Sequence, residues 1–277
     1  MKKISFTKIN GAGNDFIFID KDAYPNLEIT PELIKELCHR RFGIGGDGVI
    51  TISKGTGYDF EMKYYNSDGS LGSLCGNGAR SSIFYATLSG KAKGDKVKFK
   101  VGSELFSGEV LSENLIKFYL NQPTAFKSNF IIPSSRGEIK GHFIDTGSPH
   151  VVIDIREIPG FSESIERLDV ITLGKEIRYS SLFAPGGANI NFVDFTTDRV
   201  LIRTYERGVE DETLACGTGS TAAGIIGYLV YDLPLPVKLK TAGGDELVVD
   251  FKHEGEKFNS LSLTGPAKVN FTGEFYI

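Results

Sequence analysis

The chain has 277 residues, 40% of them hydrophobic, which allows one large or two ordinary domains with a substantial core. A net charge of −4 and a pI near 5.7 give no electrostatic reason to expect nucleic acid or an anionic membrane as partner. Three cysteines (Cys38, Cys75, Cys216) leave one over in any pairing and form no CxxC, which argues against a disulfide framework or a zinc site and fits a reducing cytoplasm.

The opening segment from Met1 to Lys8 has no sustained apolar stretch, so no signal peptide is expected. Ile4–Ile9 reads as a strand. The turn Asn10–Asp15 then feeds a second strand, Phe16–Asp20. Thr30-Pro31-Glu32 has the chemistry of a helix start, with a capping hydroxyl, a proline at the first position and an acid in the first turn. Leu33, Ile34 and Leu37 supply its buried face, and Cys38 is most simply a small buried hydrophobe. Gly43-Ile44-Gly45-Gly46-Asp47-Gly48 matches G-x-G-x-x-G in form only. It follows a helix and precedes a strand (Val49–Ser53), the reverse of a dinucleotide loop, so it reads as a tight turn.

A strand over Tyr58–Tyr65 and a polar turn at Asn66–Ser70 lead to Cys75-Gly76-Asn77-Gly78 and a run of small and apolar residues with helical character. Strands follow at Lys96–Val101, Leu105–Val110 and Leu115–Leu120. The lysines between Lys91 and Lys100 are interrupted by Asp95 and alternate with Val97 and Phe99, as on a solvated amphipathic strand. Asn121-Gln122-Pro123 reads as a crossover. Beyond it come strands near Ile139–Asp145 and Val151–Ile155, a helix near Asp169–Arg178, and strands at Ala188–Phe195 and Val200–Glu206. Then Cys216-Gly217-Thr218-Gly219 opens a second small-residue helix, and strands near Val237–Thr241, Glu246–Phe251 and Ser260–Thr264 follow. The apolar run around Ala222–Tyr231 is too short and too glycine-broken to span a bilayer.

Both cysteines precede two glycines and an apolar helix. A helix N-terminus presents backbone N–H groups and a positive dipole end, which stabilises a thiolate and can hold a carboxylate. Aligning Cys75 with Cys216 without gaps puts Asn66 opposite Arg207 and Tyr65 opposite Glu206, and Gly13–Phe18 echoes Ala188–Val193. The ordered echo predicts two related halves about a pseudo-twofold axis. The fold class is α/β (α+β), each half a curved, mostly antiparallel sheet or barrel around one apolar helix.

The motifs Gly11-Ala12-Gly13-Asn14-Asp15-Phe16, Gly43–Gly48, Tyr65–Ser70, Cys75–Arg80, Glu206-Arg207-Gly208, Ala215–Gly219 and Leu263–Ala267 together resemble the diaminopimelate epimerase family over essentially the whole chain. The resemblance implies an isomerase that needs no pyridoxal phosphate and interconverts LL- and meso-diaminopimelate in lysine and cell-wall precursor synthesis. It implies two pseudo-symmetric domains, residues 1–121 with 265–277 and residues 122–264, with the site in the cleft between them. It also implies a homodimer, through the C-terminal strand around Phe271.

In that resemblance Cys75 and Cys216 are the proton donor and acceptor for one direction, and His150 and Glu206 tune the two thiols. Asn14, Asn66, Asn189 and Arg207 hold the distal amino-acid centre, and Gly76, Asn77, Ser148, Gly217 and Thr218 contact substrate. His150 would exchange protons near neutrality, with a nearby carboxylate favouring its charged form. No motif singles out a Schiff-base lysine, so no cofactor and no metal are expected; charge on the substrate carboxylate would fall to the helix-end N–H groups. Two departures stand out. Ser148 replaces an asparagine common in the family, and Gly48 replaces a glutamine that some members carry.

Plainer readings stand beside these. Asn14, Asn66 and Asn189 could be turn formers that tolerate a left-handed backbone, and Glu206-Arg207 a surface ion pair. His39, His142 and His253 read as structural. The alternatives for the whole chain are a proline racemase-like enzyme on the same fold and a binding protein with a redox-sensitive cysteine pair.

Overall fold

Ile4, Phe6 and Ile9 are buried while Lys3 and Ser5 stay exposed, so the chain opens on a strand with one face inward, β1 (Lys3–Gly11). The computed structural model describes residues 3–72, 75–196 and 199–277, so Met1 and Lys2 of the opening segment lie outside it. Ala12 and Gly13, both at positive φ, turn β1 back into antiparallel β2 (Asn14–Asp20). Helix α1 (Pro31–Cys38) starts where expected: Thr30 Oγ1 accepts from Leu33 N at 3.2 Å. It carries the chain to β3 (Gly48–Lys54), parallel to β2, and β4 (Phe60–Asn66) pairs antiparallel with β3.

Helix α2 (Gly76–Leu88) is buried from Gly76 to Ala86, which is why it shows no polar face. It packs on β1, β2, β3, β4, β6 (Glu104–Ser112) and β7 (Leu115–Tyr119), while β5 (Lys96–Val101) joins β4 in parallel and β6 antiparallel. The sheet thus curves around α2 on one face. On the other, Ile34, Leu37 and Cys38 of α1 pack with Ile17, Ile19 and Val49.

The second half repeats the plan. β8 (Thr124–Ser134), β9 (Gly137–Asp145) and β10 (Pro149–Asp154) form antiparallel pairs, and α3 (Val170–Arg178) carries the chain to β11 (Asn189–Asp194), parallel to β10. β12 (Val200–Glu206) pairs antiparallel with β11 and with the short β13 (Asp211–Thr213). Helix α4 (Gly217–Tyr231) is buried from Gly217 to Gly227 and is wrapped as α2 is. β14 (Val237–Thr241), β15 (Glu246–Glu254) and β16 (Lys257–Pro266) complete that half. β17 (Lys268–Tyr276) pairs antiparallel with β1, from Lys3↔Tyr276 to Asn10↔Lys268. The chain divides into two compact units, Met1–Tyr119 with Thr264–Ile277, and Leu120–Leu263.

The repeat is clearer in topology than in sequence. Both units run antiparallel, parallel, antiparallel, parallel, antiparallel through their sheets, with one helix in each parallel crossover. Gly13 (φ 97) and Gly147 (φ 104) mark equivalent turns. From these, the registers Phe16↔Gly48 and His150↔Asn189 make Asn14 the counterpart of Ser148 and Gly48 that of Asn189. This corrects the sequence echo that sets Asn14 against Asn189. Carried one strand further, Tyr65 matches Tyr205 and Asn66 matches Glu206, one step off the gap-free alignment. The cause is one extra residue in the turn ahead of β13: Tyr65 bridges Leu71 six residues on, where Tyr205 pairs with Glu212 seven residues on.

β8 is absent from the sequence expectations. Its register shifts twice, Ala125 and Asn129 take positive φ, and Pro133 interrupts it, so no clean alternation survives. The lysine-rich stretch is a strand with Val97 and Phe99 buried, but Lys91 is not merely solvated: it bonds Asp20 and Asp22 at 2.8 and 2.6 Å.

Candidate active site

Cys75 is the N-cap residue of α2, and its Sγ accepts from Gly78 N at 3.4 Å. The first intrahelical bond, Ala79 N to Cys75 O, measures 2.7 Å, so Gly76 and Asn77 belong to the first turn, whose N–H groups have no acceptor within a helix. A directed chain of side chains runs behind this end. Arg80 Nη2 donates to Asn77 Oδ1 (2.7 Å), Asn77 Nδ2 to Asn14 Oδ1 (2.5 Å), and Asn14 Nδ2 to Asp47 Oδ2 (3.1 Å). Asp47 is held in turn by Arg40 at 2.7 Å, and Arg40 also grips both oxygens of Asp15. Lys8, only 3% exposed, bonds Asp15 at 2.8 Å and the Gly45 carbonyl. Burial alone would raise the Asp15 carboxyl, but the hydrogen bonds from Arg40 and Lys8 outweigh it and hold it below the usual range.

Gly43–Gly48 is therefore a turn, as expected, and its chemical content is Asp47, which sequence reasoning passed over. The signal was an acid inside a glycine run with no helix to cap. Asn66 ends β4, where its Nδ2 donates to Ser70 Oγ at 3.0 Å. None of Asn66, Asn14 and Asn189 has a left-handed backbone, but Asn66 does open a turn, its carbonyl accepting from Gly69 N at 2.9 Å.

Cys216 is the N-cap of α4 and is 7% exposed; Ser220 N donates to its carbonyl at 2.9 Å. Its Sγ lies 3.6 Å from Thr218 Oγ1. Thr218 Oγ1 is 2.9 Å from His150 Nε2 and 3.4 Å from Ser148 Oγ, and Ser148 Oγ is 3.0 Å from the same ring nitrogen. Ser148–Thr218 thus takes the place that Asn14–Asn77 has in the other unit. Asn189 ties this corner together: Nδ2 donates to Pro149 O (3.0 Å) and Ser148 Oγ (3.3 Å), and Oδ1 accepts from Arg207 N (2.9 Å). Glu206 Oε2 accepts from Thr213 Oγ1 at 2.8 Å, which places β13 as a prop for that carboxylate. Glu206 and Arg207 make no ion pair with each other among the described residues.

The structure thus gathers Ser148, His150, Asn189, Arg207, Gly217 and Thr218 around Cys216, and Asn14, Gly76 and Asn77 around Cys75. One expectation is overturned. His150 is completely buried, and burial, with the Arg207 cation adding to it, pushes its pKa down to about 3. It is neutral across the physiological range, and the charged neighbour acting on it is a cation rather than a carboxylate. Asn191 also went unremarked, although one polar residue among Ile190, Phe192 and Val193 on a buried strand is the kind of signal that marks a fixed hydrogen-bonding role. Burial pushes the Cys38 thiol up to about 11, in keeping with inert packing. Among the described residues no cluster of His, Cys, Asp and Glu is placed to hold a metal, and no helix is long and apolar enough to cross a membrane.

The sequence model of diaminopimelate epimerase matches residues 6–125 and 142–270. A diaminopimelate epimerase of Chlorobaculum tepidum is 37% identical over 268 residues, covering 96% of this chain and 98% of that one. Another, of Aquifex aeolicus, is 36% identical, covering 98% and 97%. Among solved structures, a Bacillus anthracis phenazine biosynthesis protein of the PhzF family matches with a TM-score of 0.74 at 15% identity, covering 100% of both chains. A hydroxyproline epimerase from Agrobacterium vitis matches with a TM-score of 0.74 at 13% identity, covering 98% and 92%; both show a shared fold.

Proposed function

The chain belongs to the diaminopimelate epimerase family, and from that premise we propose that Cys75 and Cys216 are the two acid–base groups with which it interconverts LL- and meso-diaminopimelate. The observation that carries the assignment is that each thiol sits at the N-cap of a buried helix in the same place of a repeated sheet.

Epimerisation at Cα needs a base on one face and an acid on the other. A thiolate takes the Cα proton and becomes a thiol; the opposite thiol gives its proton to the other face and becomes a thiolate. No net redox change occurs. The exchanged protonation states serve the reverse reaction as they stand, and loss of a proton from one thiol and gain of one by the other, through solvent, reset the pair for another forward turnover. The difficulty is the carbanion, since the adjacent carboxylate already carries charge. The first-turn N–H groups at Gly76 and Asn77, and at Gly217 and Thr218, are suited to stabilise it without reorganisation. Each ~1.4 kcal/mol so gained is a tenfold rate increase.

Arg207 suits the distal carboxylate through its bidentate fork, with Asn14, Asn66, Asn189 and Ser148 supplying directional bonds. Glu206, held by Thr213, presents a carboxylate on the same turn for the distal ammonium or for tuning a thiol. His150 serves as a neutral hydrogen-bonding group, not a proton carrier. The three cysteines suit a reducing cytoplasm, and a homodimer is part of this reading, to be checked by light scattering. A proline racemase-like activity is disfavoured because these polar groups would face a second charged centre that proline lacks.

The decisive assay incubates reduced protein with LL-diaminopimelate in deuterium oxide and follows isomer ratio and Cα deuterium by NMR and mass spectrometry. Conversion with solvent deuterium, lost in Cys75→Ala and in Cys216→Ala, is expected. Absence of exchange with both thiols verified free would overturn the assignment.

A further inference from the structure

The orientation of the Asn191 amide is settled by its neighbours. Nδ2 lies 2.8 Å from the Val151 carbonyl, which can only accept, and Oδ1 accepts from Thr204 Oγ1 at 3.0 Å. The same Nδ2 lies 3.2 Å from His150 Nδ1. A donor facing Nδ1 requires a lone pair there, so the single proton of the neutral ring sits on Nε2. That N–H points at Thr218 Oγ1 (2.9 Å) and Ser148 Oγ (3.0 Å). Thr218, engaged as an acceptor, keeps its own hydroxyl proton to give away. Its neighbours are Ser148 Oγ at 3.4 Å and Cys216 Sγ at 3.6 Å, and only the sulfur becomes an anion.

We propose that Asn191 is a positioning residue that locks His150 as the Nε2–H tautomer, so that the Thr218 hydroxyl donates to the Cys216 thiolate. The relay runs Asn191, His150, Thr218, Cys216, and no step in it moves a proton between residues. It polarises the hydroxyl and keeps it aimed. Complete burial keeps the ring from gaining a second proton, and the Arg207 cation adds to that effect. The lock explains why His150 is fully buried without a carboxylate: its task requires a neutral ring with a defined tautomer. It rests on the proposed role of Cys216 but is tested without turnover, so failure of the epimerase assay and failure of the relay are separate results.

The first measurement is a long-range proton–nitrogen correlation on nitrogen-15-labelled protein, with the His150 ring assigned by His150→Gln. Wild type should show a protonated Nε2 and a bare Nδ1 at neutral pH. A protonated Nδ1 would overturn the proposal with no variant needed. The second is the pH dependence of Cys216 alkylation by iodoacetamide, read by peptide mass spectrometry. Thr218→Val should slow alkylation at neutral pH by about tenfold, an upward shift of about one pH unit in the midpoint, while Thr218→Ser stays near wild type. Asn191→Asp, an acceptor at both oxygens, should move the ring proton to Nδ1 and give the same alkylation shift. An unshifted midpoint in Thr218→Val, or an Nε2–H ring retained in folded Asn191→Asp, sinks the relay.

Discussion

In the N-terminal unit the Asn77 amide donates to Asn14 Oδ1 at 2.5 Å, and the far side of Asn14 is held by Asp47 at 3.1 Å. Asn14 is therefore aimed from both sides, and the anchoring charges are Arg80 at one end and Arg40 at the other. Asp47→Ala should free Asn14 and lower kcat/KM by roughly 10- to 100-fold, about 1.4–2.7 kcal/mol of transition-state binding. Asp47→Asn, which keeps one acceptor for Asn14, should recover much of it. Cys75 alkylation should be unchanged in both. A Cys75 rate that falls with activity would mean that Asp47 acts on the thiol and not on Asn14.

The two cysteine helices were legible because their chemistry repeats: small residues, paired glycines and a cap position with a thiol. The strands with clean alternation were legible too, and Lys96–Val101 appears with the expected bounds. What the sequence hid was whatever depends on register. Asn14 answers to Ser148 rather than Asn189, a change of strand that only the pairing pattern reveals, while the one added residue before Cys216 accounts for the single-step slip that sets Asn66 against Glu206. The charge state of His150 was hidden for a different reason. Its pKa is set by complete burial and the Arg207 cation, neither of which is a property of Gly147–His150 itself.

The family resemblance sets Gly48 against a glutamine, and a side chain of that size should not fit here. A Cβ there would lie 2.5 Å from Tyr64 Cε2 and 2.4 Å from the Tyr65 carbonyl. The Tyr64 ring occupies this space, edge-on to Phe16 with centroids 5.8 Å apart. Gly48→Gln alone should cost about 2–4 kcal/mol as overpacking against backbone, and should lower activity. Combined with Tyr64→Ala it should recover part of the loss, since the ring clash is removed while the carbonyl contact stays. Urea melts of the two variants would decide; equal stabilities would show that Tyr64 is not the obstacle.

Gly78 and Gly219 hold the same helical position, yet their tolerance for alanine should differ. At Gly78 an added Cβ would sit 3.3 Å from the Ile50 Cδ1 methyl, the movable end of a side chain. At Gly219 it would sit 2.3 Å from Asn191 Oδ1, and Asn191 is held by Val151, Thr204 and His150. Gly78→Ala should be within about 1 kcal/mol of wild type, its overpacking offset by better helix propensity. Gly219→Ala should cost about 2–4 kcal/mol, because a buried hydrogen-bonded amide must move. Thermal melts that rank the two in the opposite order would contradict the packing argument.

The neutral His150 also makes stability depend on pH in a defined direction. Its folded pKa of about 3 lies below the unfolded value of about 6.5, so below pH 6.5 the unfolded chain takes up a proton that the folded chain refuses. The stabilisation is complete above the unfolded value and is lost as pH falls, by about 1.4 kcal/mol per pH unit for one proton. His142, lowered mainly by burial with Lys140 adding to it, contributes in the same direction. Asp15 adds its own loss only below the ordinary carboxylate value of about 3.9. Between pH 6 and pH 5, therefore, wild type should lose stability more steeply than His150→Gln by close to one proton's worth, whatever the absolute stability of the variant. Urea titrations at closely spaced pH values give the two slopes directly. Parallel slopes would mean that His150 is already charged in the folded protein and that the Cys216 corner is built differently.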